Sequence, residues 1–169
     1  VYFFSLKILG TPLFLISSSV SNVFFQKSSE LLNENKTELF KLTKKIVSIN
    51  LILMLAFLIL VNTIGMTALE SVFNDKWNNL RSYSLILSIL ILGRSAFSPI
   101  SSLIVVLNKN LESLIFNIYL FIVNLIAIYF GYLYNDITIT ILILAIFGSV
   151  GYISLLIYFL NHLKTIVKK

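Results

Sequence analysis

Ile46–Leu69 reads IVSINLILMLAFLILVNTIGMTAL, and its central section, Leu51–Val61, is apolar at every position. A membrane-spanning helix needs about 20 mostly apolar residues at about 1.5 Å each, so this stretch predicts a crossing. Four more stretches meet the same criterion, at about 2–25, 80–107, 111–134 and 137–160. The first carries Lys7 near its start and a Gly10-Thr11-Pro12 break one-third of the way along. The third is the most polar, with Arg94, Pro99 and many serines. Across all 169 residues, 58% are hydrophobic and 12% charged, and the mean hydropathy is +0.96. An ordinary globular domain is about 25% charged, so this chain has too little polar surface to cover a water-soluble core. The expected class is an all-α integral membrane protein of about five transmembrane helices, forming a single helical domain over 1–169. Secreted enzymes, DNA-binding domains and disordered tails are excluded together.

Short polar segments join the spans. The longest, Lys27–Lys45, holds five lysines and three glutamates. Its apolar residues Leu31, Leu32, Leu39, Phe40 and Leu42 predict a helix lying along the headgroups. Glu70–Asn79 is a compact loop with Trp77 suited to the interface. Asn108-Lys109-Asn110 and Asn135-Asp136 are tight connections between antiparallel neighbours. Lysine and arginine number 13 against 7 acidic residues. We read this excess as a topology signal rather than a nucleic-acid surface. On one side lie Lys27, Lys36, Lys41, Lys44, Lys45, Lys109, Lys164, Lys168 and Lys169; on the other lie Lys76 and Arg81. The positive-inside rule then places the 27–45 loop and the C-terminus in the cytoplasm and the N-terminus outside. A chain that starts outside, without Met and already within a helix, reads as the C-terminal part of a longer protein.

Charges at bilayer depth cost roughly 2.5–3.5 kcal/mol on insertion scales, which makes each a functional-site hypothesis. Arg94 lies about fourteen residues into its span, near the midplane. Lys7 is about one turn inside the outer end of the first span, where it can snorkel. Arg94 has two readings: it faces a hydrated cavity, or it pairs with helix-end carbonyls or another charge. At about 100° per residue, Arg81, Ser84, Ser95 and Ser102 fall within about 40° of Ser88, whereas Arg94 stands about 120° away. The serine stripe fits a cavity wall bordered by Arg94, or close helix packing. Pro99 lacks the amide that would bond the Ser95 carbonyl and should bend this helix just past Arg94; such bent helices near the midplane recur in transporters.

In the fourth span, Asn110, Asn117, Asn124 and Gly131 are spaced by seven and form one seam. Asn117, Asn124 and Gly131 are expected to serve helix packing, with the asparagine amides bonding a neighbouring helix. Ser17, Ser18, Ser19, Ser21 and Asn22 mark either a cavity lining or a packing patch, and Gly148-Ser149-Val150-Gly151 reads as close packing. No enzyme constellation emerges: there is no His-Glu-x-x-His, no Gly-rich phosphate loop and no pair of intramembrane carboxylates. With no cysteine and one histidine, His162, neither a metal site nor a cofactor is expected.

The order of these features resembles the C-terminal half of the polysaccharide flippases of the MOP superfamily, the Wzx-type transporters of O-antigen and capsule repeat units. The similarity rests on a helix with a basic residue then proline (Lys7, Pro12) ending in Val23-Phe24-Phe25-Gln26-Lys27-Ser28, on the basic loop, and on Phe73-Asn74-Asp75-Lys76-Trp77. The last looks like the family's Phe-Gly-x-x-Trp with Asn74 in place of glycine. A polar helix follows, then a helix with Asn117 and Asn124 ending at Gly131. The resemblance implies the C-terminal lobe of a MATE-like two-lobe transporter in the bacterial inner membrane. It would move polyprenyl-pyrophosphate-linked oligosaccharides from the inner to the outer leaflet for cell-surface polysaccharide and lipopolysaccharide synthesis. The implied partners are the lipid-linked oligosaccharide, membrane lipids, the N-terminal lobe of the same chain and other glycan-assembly proteins. The family's cavity tends to be cationic, which makes Arg94 the first candidate for substrate contact and Lys7 the second, with Ser88 and Ser95 lining the cavity. These substrate-contact roles are physical inference and are not carried over from a family motif. Competing readings are a multidrug or cation antiporter of the same superfamily, a polysaccharide polymerase, and a non-transporting scaffold.

Overall fold

The structure, a computed structural model, describes residues 2–73 and 80–168. The described residues are almost entirely helical, and five of their helices are long and apolar enough to cross a membrane. The chain is thus an all-α, multi-pass membrane protein. The Asn74-Asp75-Lys76-Trp77 part of the loop singled out above lies outside the described residues.

Helix α1 covers Tyr2–Glu34 and α2 covers Lys36–Leu60. Only Asn35 separates them; its side chain accepts the backbone N–H of Glu38 at 3.0 Å, an N-cap for α2. This corrects the expectation of a separate headgroup helix within 27–45: the segment is the meeting of two long helices. The reason is where its leucines go. Leu31 and Leu39 are buried with Phe24, Ile100, Leu103, Phe159 and Leu163, so burial against the bundle outweighs partition into headgroups. Nor does Pro12 break α1, which runs helically through it; the loss of one ladder bond is tolerated in membrane helices.

After Leu60 the chain makes one π-helical turn, Val61–Gly65, and continues as α3, Met66–Phe73. Helix α4, Leu80–Phe97, is the most buried crossing and touches α1, α2 and α7. The expected 80–107 span divides just past Arg94, as Pro99 dictates: a 3-10 turn at Ser98–Ile100 and a short helix α5, Leu103–Val106, follow. Helix α6 covers Asn110–Tyr134, and α7, Ile137–Lys168, runs past the expected end at 160. Burial of Leu163 in the same cluster as Leu31 explains the extension.

Small residues set the closest approaches, as expected where lipid removes a hydrophobic drive between helices. A Cβ on Gly93 of α4 would lie 2.5 Å from the Ser149 Cβ of α7, and one on Gly148 would lie 2.6 Å from Leu90. Gly151 receives the ring of Tyr119 from α6, and Gly131 receives Thr140. Gly148, Ser149 and Gly151 thus sit at close helix contacts, while Val150 between them is exposed.

Candidate functional site

Helix α4 presents two chemically different sides. Ser84, Ser88 and Ser95 look toward α2. Asn62, in the π-turn, donates through Nδ2 to the Leu58 carbonyl at 2.8 Å and to Ser88 Oγ at 2.9 Å. Its Oδ1 accepts from Ser84 Oγ at 2.9 Å, and Ser88 Oγ donates to the Ser84 carbonyl at 2.7 Å. Lower on the same helix, Asn50 donates to the Ser95 carbonyl at 2.7 Å, while Ser95 Oγ donates to the Leu92 carbonyl. Ser95 is fully buried and Ser88 is held in the Asn62 network, and neither is among the residues lining the cavities that Arg94 lines. Ser84 and Ser88 thus serve packing through Asn62 of the π-turn, and the Ser95 backbone through Asn50 of α2.

Arg94 points elsewhere and is exposed. An open cavity of about 260 Å³ is lined by Leu6, Lys7, Gly10, Thr11, Leu13, Phe14, Arg94 and Ser98. Thus α1 and α4 bring both candidate cations to one space, together with two hydroxyls. A second cavity, about 230 Å³, shares Leu6, Gly10 and Arg94 and adds Tyr2, Asn124 and Tyr152 among its walls. Arg94 stands between the two. No described carboxylate lines either cavity, and Arg94 has no ion pair or hydrogen bond among the described residues. Lys7 has its ammonium 5.0 Å from the Phe3 ring centroid, a cation–π contact. Gly10 leaves space where the cavities meet, its nearest neighbour being the Ile91 side chain at 3.9 Å from an added Cβ.

Asn117 and Asn124 behave differently from the expected interhelical glue. Each is exposed and donates to its own helix, Asn117 to the Ser113 carbonyl at 2.9 Å and Asn124 to the Leu120 carbonyl at 2.7 Å. Gly131, the last member of the same seam, does meet Thr140 of α7, so the seam is packed at that end and open at its asparagines. Asn124 instead reaches the second cavity. The interhelical amides are Asn50 and Asn62, passed over in the sequence because they sit in the most apolar span. Their signal was position: they bracket the Leu51–Val61 run, where an amide must find a partner. Of the serines in the 17–21 stretch of α1, Ser18 and Ser19 donate to the Leu15 carbonyl, and Ser17 is buried. No group of three or more metal-ligating side chains occurs among the described residues.

No protein-family model, curated protein or solved structure matches this chain.

Proposed function

We propose that this chain is part of a transporter that moves an anionic, lipid-linked oligosaccharide, with a polyprenyl-pyrophosphate carrier, from the inner to the outer leaflet of a bacterial plasma membrane for surface-polysaccharide synthesis. The observation that supports this reading most directly is that Lys7 and Arg94, from different helices and within the apolar spans, line one open cavity with no described carboxylate. A cation held at bilayer depth, as Arg94 would be, is expensive, and a diphosphate entering between it and Lys7 would offset that cost. A guanidinium offers phosphate a planar, bidentate match; the lysine supplies a second, mobile charge. The carrier's hydrocarbon would remain in the bilayer while phosphate and sugars cross in a groove completed by a second helical lobe. The nine-lysine face would be cytoplasmic, with the C-terminus.

The test is movement of a labelled polyprenyl-pyrophosphate oligosaccharide in proteoliposomes holding the full-length protein, read by access of an added glycosidase. Protein-dependent movement that Arg94→Ala suppresses supports the reading. Movement no faster than in protein-free vesicles, or an Arg94→Ala/Lys7→Ala double variant as active as the parent, would sink it.

A further inference from the structure

A groove of about 420 Å³ runs between α6 and α7 on the opposite flank from the Arg94 cavities, walled by Ile115, Phe116, Tyr119, Val150 and Leu155 and floored by Gly151. It lies within two membrane-spanning helices, so its apolar walls face hydrocarbon. From Val150 to Tyr158 it extends about 12 Å along α7, and its end at the lysine-rich face is polar. There Glu112 and Tyr158 line it, and Glu112 lies in the first turn of α6, at headgroup depth. Glu112 Oε1 accepts from Lys109 Nζ at 2.7 Å and from Tyr158 Oη at 2.9 Å. Both bonds fall on one oxygen, and a carboxylate has about four lone-pair sites, so it keeps acceptor capacity for a further donor. The lysine and glutamate side chains are each 25% exposed, so the pair remains reachable from the headgroup layer. The Lys109 ammonium, which faces both Glu112 and Tyr158, has three donors and so keeps one for an outward partner.

We propose that this groove is a binding site for a zwitterionic aminophospholipid, of the phosphatidylethanolamine class. One acyl chain lies along Ile115, Tyr119 and Val150, the primary ammonium meets the Glu112 carboxylate, and the phosphodiester meets Lys109. The argument is charge complementarity. The groove ends in a cation and an anion side by side, and such a headgroup carries the opposite two charges within one short linker. A phosphatidylcholine ammonium has no N–H to donate to the carboxylate, and phosphatidylglycerol brings no cation to Glu112, only neutral hydroxyls. Charge-assisted bonds at partly buried positions are the stronger kind. The site is independent of what the Arg94 cavity carries.

The test is lipid retention by the purified protein after reconstitution in nanodiscs of equal parts phosphatidylethanolamine, phosphatidylcholine and phosphatidylglycerol, counted by native mass spectrometry. Phosphatidylethanolamine should be retained about tenfold over phosphatidylcholine. Glu112→Gln should remove that preference, and Val150→Trp, which fills the groove from an exposed wall position, should remove the tightly held lipid whatever its headgroup. Equal retention of the three lipids, a preference for phosphatidylglycerol, or an unchanged preference in Glu112→Gln would overturn the assignment.

Discussion

Asn50 and Pro99 converge on a single carbonyl. In an unbroken helix the residue at 99 would donate its N–H to Ser95, four positions back; proline has none. Asn50, from α2, donates its side-chain amide to that oxygen at 2.7 Å. The break in α4 and the asparagine that covers it are therefore one device made by two helices.

Asn50→Leu should destabilise the protein by about 1–3 kcal/mol, the cost of a buried acceptor left unpaired. In a Pro99→Ala background, the restored N–H can reach Ser95, so the same change should cost markedly less. Thermal unfolding in detergent of the two single variants and the double one gives the comparison; strictly additive losses would show that the carbonyl is not shared.

The Asn62 network should register in a double-mutant cycle. Asn62→Ala and Ser84→Ala are expected to couple by about 0.6–1.7 kcal/mol, the range for hydrogen bonds between membrane helices. Asn117→Leu is the contrasting case: its amide serves its own helix on an exposed face, so stability should move by less than about 0.5 kcal/mol.

Gly93→Val forces atoms onto the backbone of α7, since the Cβ alone would stand 2.6 Å from the Ser149 Cα. Overpacking of this kind costs about 1–3 kcal/mol. Gly10→Ala meets nothing nearer than 3.9 Å and should unfold at the parental temperature. A Gly93 variant as stable as the Gly10 variant would contradict the close α4–α7 approach.

In the transport assay Arg94→Ala should slow movement by about 10–100-fold, the equivalent of one charge-assisted bond to the cargo. Arg94→Lys should recover part of it, because it restores charge without the bidentate fork. Lys7→Ala should have the smaller effect. Arg94 has no hydrogen bond or ion pair among the described residues, so its variants should keep the parental unfolding temperature; a large drop would mean that the arginine holds the fold instead.

Acid should loosen the α6–α7 corner through Asp136. Its carboxylate accepts the Thr138 N–H at 2.7 Å at the start of α7, and the Thr138 hydroxyl, followed by that N–H, holds it below the ordinary carboxylate range. A carboxylate with a depressed folded pKa stabilises above its unfolded pKa of about 3.9 and loses that contribution as pH falls through the folded value. Unfolding temperatures from pH 7 to pH 3 should therefore fall less steeply for Asp136→Asn than for the parent.

Helix positions were legible in the sequence because hydrocarbon thickness and residue rise fix them, and so was the break at Pro99. The pairing of Lys7 with Arg94 was not, since nothing in either span states which helices are neighbours. The asparagines show the limit best. Spacing by seven marked Asn117 and Asn124 as a seam, but which seam faces a neighbour depends on where the glycines let α7 come close. The leucines of 27–45 were ambiguous for a related reason: headgroups and a protein flank both accept an amphipathic segment, and only the extended end of α7 decides between them.

The one-residue joint at Asn35 has a mechanical consequence. Helix α1, at 33 residues, is about 50 Å long, against roughly 30 Å of hydrocarbon. It and α2 therefore project from the membrane as a stiff, coupled lever. Any tilt of either helix about its buried contacts is magnified at that tip, and a spin label near Asn35 would travel farther than one placed beside Arg94.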